Sequence, residues 1–179
     1  MDAAQQVHEQ FVAALDAGTL QRRSNLGLAA GGLDPRRAAA ILHSQMVSRQ
    51  LDRLSRKLQA RGEGFYTIGS SGHEGNAALA EALRVDDIAF LHYRDAAFQI
   101  HRANRVPGEN PMWDMLLSFT ASADDPISGG RHKVLGSKRL MIPPQTSTIA
   151  SHLPKAVGAA FSIGIARRMG LEETVLAKD

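Results

Sequence analysis

The residues best equipped for chemistry stand together at His92-Tyr93-Arg94-Asp95, where an apolar run ends and the segment AAFQIHRA (96–103) begins. A phenol and a guanidinium in adjacent positions can both donate hydrogen bonds to phosphate oxygens. In open α/β sheets, ligands bind beyond the carboxyl ends of strands, and helix N-termini favour anions. A strand ending at Leu91 and a helix starting after Asp95 would place Tyr93 and Arg94 at such a point. The plainer alternative is structural, with Arg94 in a salt bridge and Asp95 capping the helix that follows.

A second candidate is the stretch SGGRHKVLGSKR (128–139). Glycines beside Arg131, His132, Lys133 and Lys138 suit an anionic ligand, and equally suit an ordinary solvated loop. His73 and Glu74 fall at the start of a predicted helix. There Ser71 and Glu74 have capping-box spacing, which accounts for Glu74 without a catalytic role. The seven histidines show no paired ligand spacing with carboxylates, which argues against zinc. The chain has no Walker sequence and no GxGxxG, and GSSG (69–72) is not a nucleophile elbow. The absence of cysteine excludes disulfides, thiolate metal sites and thiol nucleophiles.

The elements that must position these residues read as follows. A first helix covers 3–17, and Gly27 to Pro35 is a glycine-rich linker. Asp34 suits the N-cap of a long helix and Pro35 its first position. Val47, Leu51, Leu54 and Leu58 recur at spacings of four and three and share a face; Gly62 ends the helix as a left-handed cap. Phe65 to Gly69 reads as a short strand, Ser70 to Arg84 as a helix thinned by alanines, and Asp86 to Leu91 as a buried strand. Helices over 96–103 and Asn110 to Phe119 follow, then a long polar loop over 121–146. An apolar, small-residue helix from about Leu153 to Met169 comes last. Strand–helix alternation points to α/β with a parallel sheet, with residues 1–62 as a helical segment and 63–179 as the α/β part.

A chain of 179 residues can bury a sizeable core. The net charge of +3 is spread over separated arginine pairs and aromatics make up 5%, which argues against a nucleic-acid surface. The polar N-terminus lacks a signal core, and no apolar stretch is long enough to span a bilayer, so a soluble, cytoplasmic chain is expected.

Four blocks in order carry a resemblance: LDRLSRKLQARGEGFYTIGSSGHEGNAALAEAL, DDIAFLHYRD, GGRH, and TSTIASHLPKAVGAAFSIGIAR. From about Ala38 to Arg168 the sequence resembles the alpha subunit, or alpha-like N-terminal part, of the decarboxylating component of thiamine-diphosphate-dependent 2-oxo acid dehydrogenase complexes. HYRDAAFQIHR looks closer to the branched-chain (2-oxoisovalerate) type than to the pyruvate type. The resemblance implies a thiamine-diphosphate-binding fold, a parallel sheet flanked by helices with an added N-terminal helical segment. It assigns Tyr93 and Arg94 to the cofactor diphosphate, Ser147 and Ile149 to its aminopyrimidine end, and His132 to the catalytic site. It further implies magnesium, a beta-like subunit or domain, a lipoyl acyltransferase partner and an oligomer.

The sequence departs from that pattern in three places. It has no GDG motif, so the resemblance places the metal ligands, and the activating glutamate of the beta part, beyond Asp179. His152 and Lys155 stand where such proteins often have glutamine, which puts a monovalent-cation site in doubt. The expected activity is oxidative decarboxylation of a 2-oxo acid with acyl transfer to a lipoyl group. The alternative is a truncated, inactive remnant that serves as a folded partner-binding chain.

Overall fold

The computed structural model describes residues 3–21, 27–65 and 68–171. Contacts divide the chain into two compact units, 1–39 and 40–179. The first contains α1 (Ala3–Asp16), none of whose residues is buried, and a 3₁₀ turn at Leu28–Gly31 within the expected linker. The long helix α2 (Pro35–Ala60) begins as the sequence requires. Asp34 Oδ1 accepts from the backbone N–H of Arg36 (2.8 Å) and Arg37 (2.9 Å), and Pro35 takes the position where an N–H would have no partner. At the other end Gly62 adopts φ +74, and Glu63 N–H returns to Leu58 C=O at 2.9 Å.

The buried face of α2 differs from the leucine face read from the sequence. Leu54 is exposed, while Ile41, Ser44, Ser48, Leu51, Asp52 and Ser55 are buried. Four of these six are polar, and each polar one has a partner. Ser44 Oγ meets His101 Nδ1 at 3.0 Å, Ser48 Oγ meets Ser70 Oγ at 2.8 Å, Asp52 accepts from Ser70 N–H, and Ser55 Oγ donates to Asp52 C=O. Buried polar groups are tolerated when satisfied in this way.

After α2 come a 3₁₀ turn at His73–Gly75 and α3 (Asn76–Ala82). The capping box does not form. Ser71 is left-handed at φ +36, and the Glu74 carboxylate accepts from Gly72 N–H at 2.6 Å instead. Helices α4 (Ala96–Ala103) and α5 (Pro111–Phe119) match the sequence reading, and Asn110 caps α5 by accepting from Trp113 N–H at 3.3 Å.

The expected strand at Asp86–Leu91 does not form a ladder, and the one at Phe65–Gly69 falls partly outside the described residues. Residues 66 and 67 lie outside the described residues, and Asp86–Leu91 is held by a single backbone bond to the neighbouring hairpin, Ala89 N–H to Met141 C=O at 3.0 Å. The expected parallel sheet is therefore not present among the described residues. The sheet that forms lies inside the stretch read as a polar loop: β1 (Leu135–Ser137) pairs antiparallel with β2 (Ile142–Gln145). The molecule is mixed α/β and mostly helical. A short hairpin is marginal alone; this one is clamped by α4. Gln99 donates to Gly136 C=O (3.1 Å) and accepts its N–H (3.0 Å), as a neighbouring strand would. Gly136 is required by close approach, since a Cβ there would stand 3.1 Å from Pro144 Cα on the facing strand.

Two apolar clusters meet at α4. Phe98 and Ala103 pack with Ala80, Leu91, Leu140 and Ile142; Ala96 and Ile100 pack with Leu51, Met115, Phe119 and Leu135. Burying each large side chain contributes about 1.5–3 kcal/mol, and α4 is consequently buried along its whole length. The last helix, α6 (His152–Arg168), buries only Ala166. No helix among the described residues is long and apolar enough to cross a membrane.

Candidate functional site

The polypeptide turns at His92–Asp95, closed by Asp95 N–H to His92 C=O at 2.9 Å, and α4 starts directly after it. Asp95 stands at the N-cap, but its side chain does not cap the helix. Its carboxylate faces back: Oδ1 accepts from His73 Nδ1 (2.8 Å) and Asn76 Nδ2 (2.8 Å), and Oδ2 accepts from His92 N–H (2.8 Å). A carboxylate with three such bonds ties the turn to the start of α3. It also fixes the tautomer of a neutral His73, with the proton on Nδ1.

Three imidazoles gather at this turn. The rings of His73 and His92 stack at 4.9 Å between centroids. His152, from the start of α6, meets His92 edge-on at 5.6 Å, and its Nδ1 is buried without a partner. Burial holds the pKa of His92 below the ordinary histidine value, and His73 adds to the effect. Tyr93 is buried, its ring 3.9 Å from that of His92, and the Arg94 guanidinium lies 5.4 Å from the centre of the phenol ring.

Arg94 is half-buried and its Nη1 donates to Gly69 C=O. A guanidinium has five N–H donors in a planar fork, so a single backbone acceptor aims the group without exhausting it. Beneath it lies a buried polar layer from α2. Asp52, 5% exposed, accepts Ser70 N–H on Oδ2 at 2.6 Å. Burial pushes its carboxyl above the usual range, while the Ser70 N–H and the Lys133 charge pull the other way. Lys133 is 4% exposed and left-handed at φ +54. Its N–H donates to Ser118 C=O at 3.0 Å, and its ammonium lies 5.6 Å from the Phe119 ring centre. Burial lowers its pKa to about 8, against the pull of Asp52.

Of the residues singled out in the sequence, the structure brings Tyr93 and Arg94 together in one half-enclosed turn. His132 lies beside Lys133, with its ring 5.8 Å from Phe65; its Nε2 is buried without a partner, and burial lowers its pKa. Its neighbour Lys133 is the residue whose charge favours the ionised form of Asp52. Ser147 and Ile149 are exposed in the turn before α6, Ile149 at 76%, and the contact from that region to the Tyr93 turn is made by His152.

Asp52 and Ser70 were not singled out in the sequence, whereas Lys133 was, beside His132, as a cation suited to an anionic ligand. A signal existed in Ser44, Ser48, Asp52 and Ser55, which recur at spacings of four, four and three and mark a polar stripe on one helical face. The sequence did not show that Lys133 would be buried, since it stands in a stretch read as a polar loop. Among the described residues no group of three or more histidines, aspartates or glutamates is placed to hold a metal ion. No known protein-family model matches this chain.

Proposed function

We propose that the Tyr93–Arg94 turn anchors the diphosphate of thiamine diphosphate, and that the chain is the alpha-like part of a 2-oxo acid dehydrogenase decarboxylating component. The observation that carries this reading is Arg94 itself, a half-buried guanidinium aimed by one backbone carbonyl and 5.4 Å from the Tyr93 ring centre, in the turn where three imidazoles gather around His92. A guanidinium with unused N–H donors, held in one turn with a phenol and imidazoles, suits a multiply charged anion. The order of the four sequence blocks supports the same reading and, with it, the N-terminal part of a thiamine-diphosphate-binding fold.

In this proposal Arg94 neutralises diphosphate charge and Tyr93 packs beneath the guanidinium. His92, held neutral by burial, can donate a hydrogen bond to the anion or take up a proton as negative charge arrives. When bound, the cofactor supplies the nucleophilic carbon and the electron sink for loss of carbon dioxide from a 2-oxo acid. His132 is the candidate for proton handling, with Ser147 and Ile149 toward the aminopyrimidine end. Magnesium is assigned no ligand among the described residues, so the chain contributes the diphosphate anchor. A beta-like subunit or domain and a lipoyl acyltransferase complete the proposed assembly.

A second reading, a partner-binding chain without turnover, is favoured by α6. Leu153, Val157 and Phe161 lie at spacings of four on that helix and are 56–70% exposed. Calorimetric titration of thiamine diphosphate with magnesium, with and without a beta-like partner, separates the two. Saturable binding that strengthens with the partner is the expected result. No binding heat under either condition would remove the cofactor reading and leave the second.

A further inference from the structure

We propose that Asp52 is a positioning residue for Arg94, acting through the one peptide plane that joins Gly69 to Ser70. The consequence for ligand affinity rests on the cofactor reading above; the grip on Arg94 does not.

The Gly69–Ser70 peptide is trans, so its C=O and N–H point in opposite directions from one rigid plane. Asp52 Oδ2 takes the N–H at 2.6 Å. Arg94 Nη1 donates to the C=O. A carboxylate at the donor end and a guanidinium at the acceptor end polarise the amide in the same sense, so each bond strengthens the other. Asp52 and Arg94 thus hold opposite edges of a single peptide without touching each other.

Three further features fit this arrangement. Ser70, 1% exposed, is fixed sideways by Ser48 Oγ at 2.8 Å. A Cβ on Gly69 would stand 3.3 Å from Asp52 Oδ2 and 3.5 Å from its Cγ, so glycine lets the peptide close onto the carboxylate. The buried Lys133 ammonium favours the charged form of Asp52 against its own desolvation. At 5% exposure Asp52 is shielded from solvent, and the Gly69–Ser70 peptide is its hydrogen-bonded link to Arg94. Without the carboxylate charge the hold on the Ser70 N–H weakens, the Gly69 C=O is fixed less firmly, and the guanidinium loses part of its aim.

The test uses the full chain and reads Arg94 directly. In wild type the guanidinium protons of Arg94 should give resolved, slowly rotating NMR signals. Asp52→Asn keeps the shape and removes the charge; Asp52→Ala removes the acceptor. Both should broaden or average those signals. Thiamine diphosphate with magnesium is the second probe: Asp52→Asn should weaken binding about tenfold in the wild-type background and less than about twofold in Arg94→Ala. Acid titration of wild type gives the same test without substitution, with the Ser70 amide and Arg94 guanidinium signals moving at one midpoint. If wild type binds no cofactor, the cofactor reading falls and the Arg94 signals alone decide the positioning role. Unchanged Arg94 signals in both Asp52 variants, an equal affinity loss in both backgrounds, or separate midpoints for Ser70 and Arg94 would overturn it.

Discussion

In α4 every residue from Ala96 to Ala103 is buried, although Gln99, His101 and Arg102 are polar; in α6 only Ala166 is buried, although the helix carries Leu153, Val157, Phe161, Ile163 and Ile165. The difference lies in the partners, not in the helices. α4 has an apolar cluster on each side and partners for most of its polar groups, Nε and Nη2 of Arg102 being the buried exceptions. Gln99 pairs with Gly136, His101 Nε2 donates to Glu81 at 2.8 Å, and Arg102 Nη1 donates to the carbonyls of Asp87 and Leu140. α6 has hydrophobicity and few neighbours. Apolar composition makes burial favourable, but only a facing element makes it happen.

The largest effect that would break this comparison is expected at Ile100, 1% exposed between α2 and α5. Ile100→Ala removes buried methyl groups and leaves a cavity, so a loss of about 2–5 kcal/mol in urea unfolding is expected. A loss under about 1 kcal/mol would mean that α4 is not the centre of the core.

The contrast also shows how far the sequence could be read. Helices α2 and α5 were legible because their ends carry local chemistry: Asp34 with Pro35, Gly62, and Asn110 with Pro111. The face of α2 was misread because leucines were weighted above serines. Its buried Ser48 and Ser44 meet Ser70 and His101, residues 22 and 57 positions away in sequence, and such partners leave no local mark. The hairpin was missed because β2 carries Pro143 and Pro144, which argue against a strand, and its register depends on Gln99 of a distant helix. Tyr93 and Arg94 were singled out because two donors stand beside a helix start, and the turn before α4 is legible there. The three-histidine cluster, assembled from His73, His92 and His152, was not, since it exists only in three dimensions.

Lys133 sharpens the comparison from the polar side. It titrates near 8 in the folded protein and near 10.5 unfolded. Between those values the unfolded chain holds a proton that the native one has released, so stability rises with pH across that window. The cost of the buried charge is fully present below pH 8 and amounts to about 3 kcal/mol. Urea midpoints for wild type should therefore rise from pH 8 to 10.5 relative to those of Lys133→Met. Parallel profiles would show that Lys133 is solvated and that the polar layer under Arg94 is not sealed.

The smallest effect is expected in α6. Val157 is 70% exposed, so Val157→Ser should change stability by less than about 0.5 kcal/mol. A larger loss would mean that this face is already covered in solution, and sedimentation of the two forms would show whether a second copy covers it.

The account stands most directly on Arg94. The dissociation constant for thiamine diphosphate, with magnesium and the beta-like partner present, is to be measured beside the melting temperature for wild type, Arg94→Lys and Arg94→Ala. Losing a charge-assisted pair costs about 1.5–3 kcal/mol, so Arg94→Ala should weaken binding about 10- to 100-fold with little change in melting. Lysine, which keeps the charge and loses the fork, should recover only part of it. Unchanged affinity with a sharply lowered melting temperature would contradict the account and make Arg94 a structural strut for the Gly69 carbonyl.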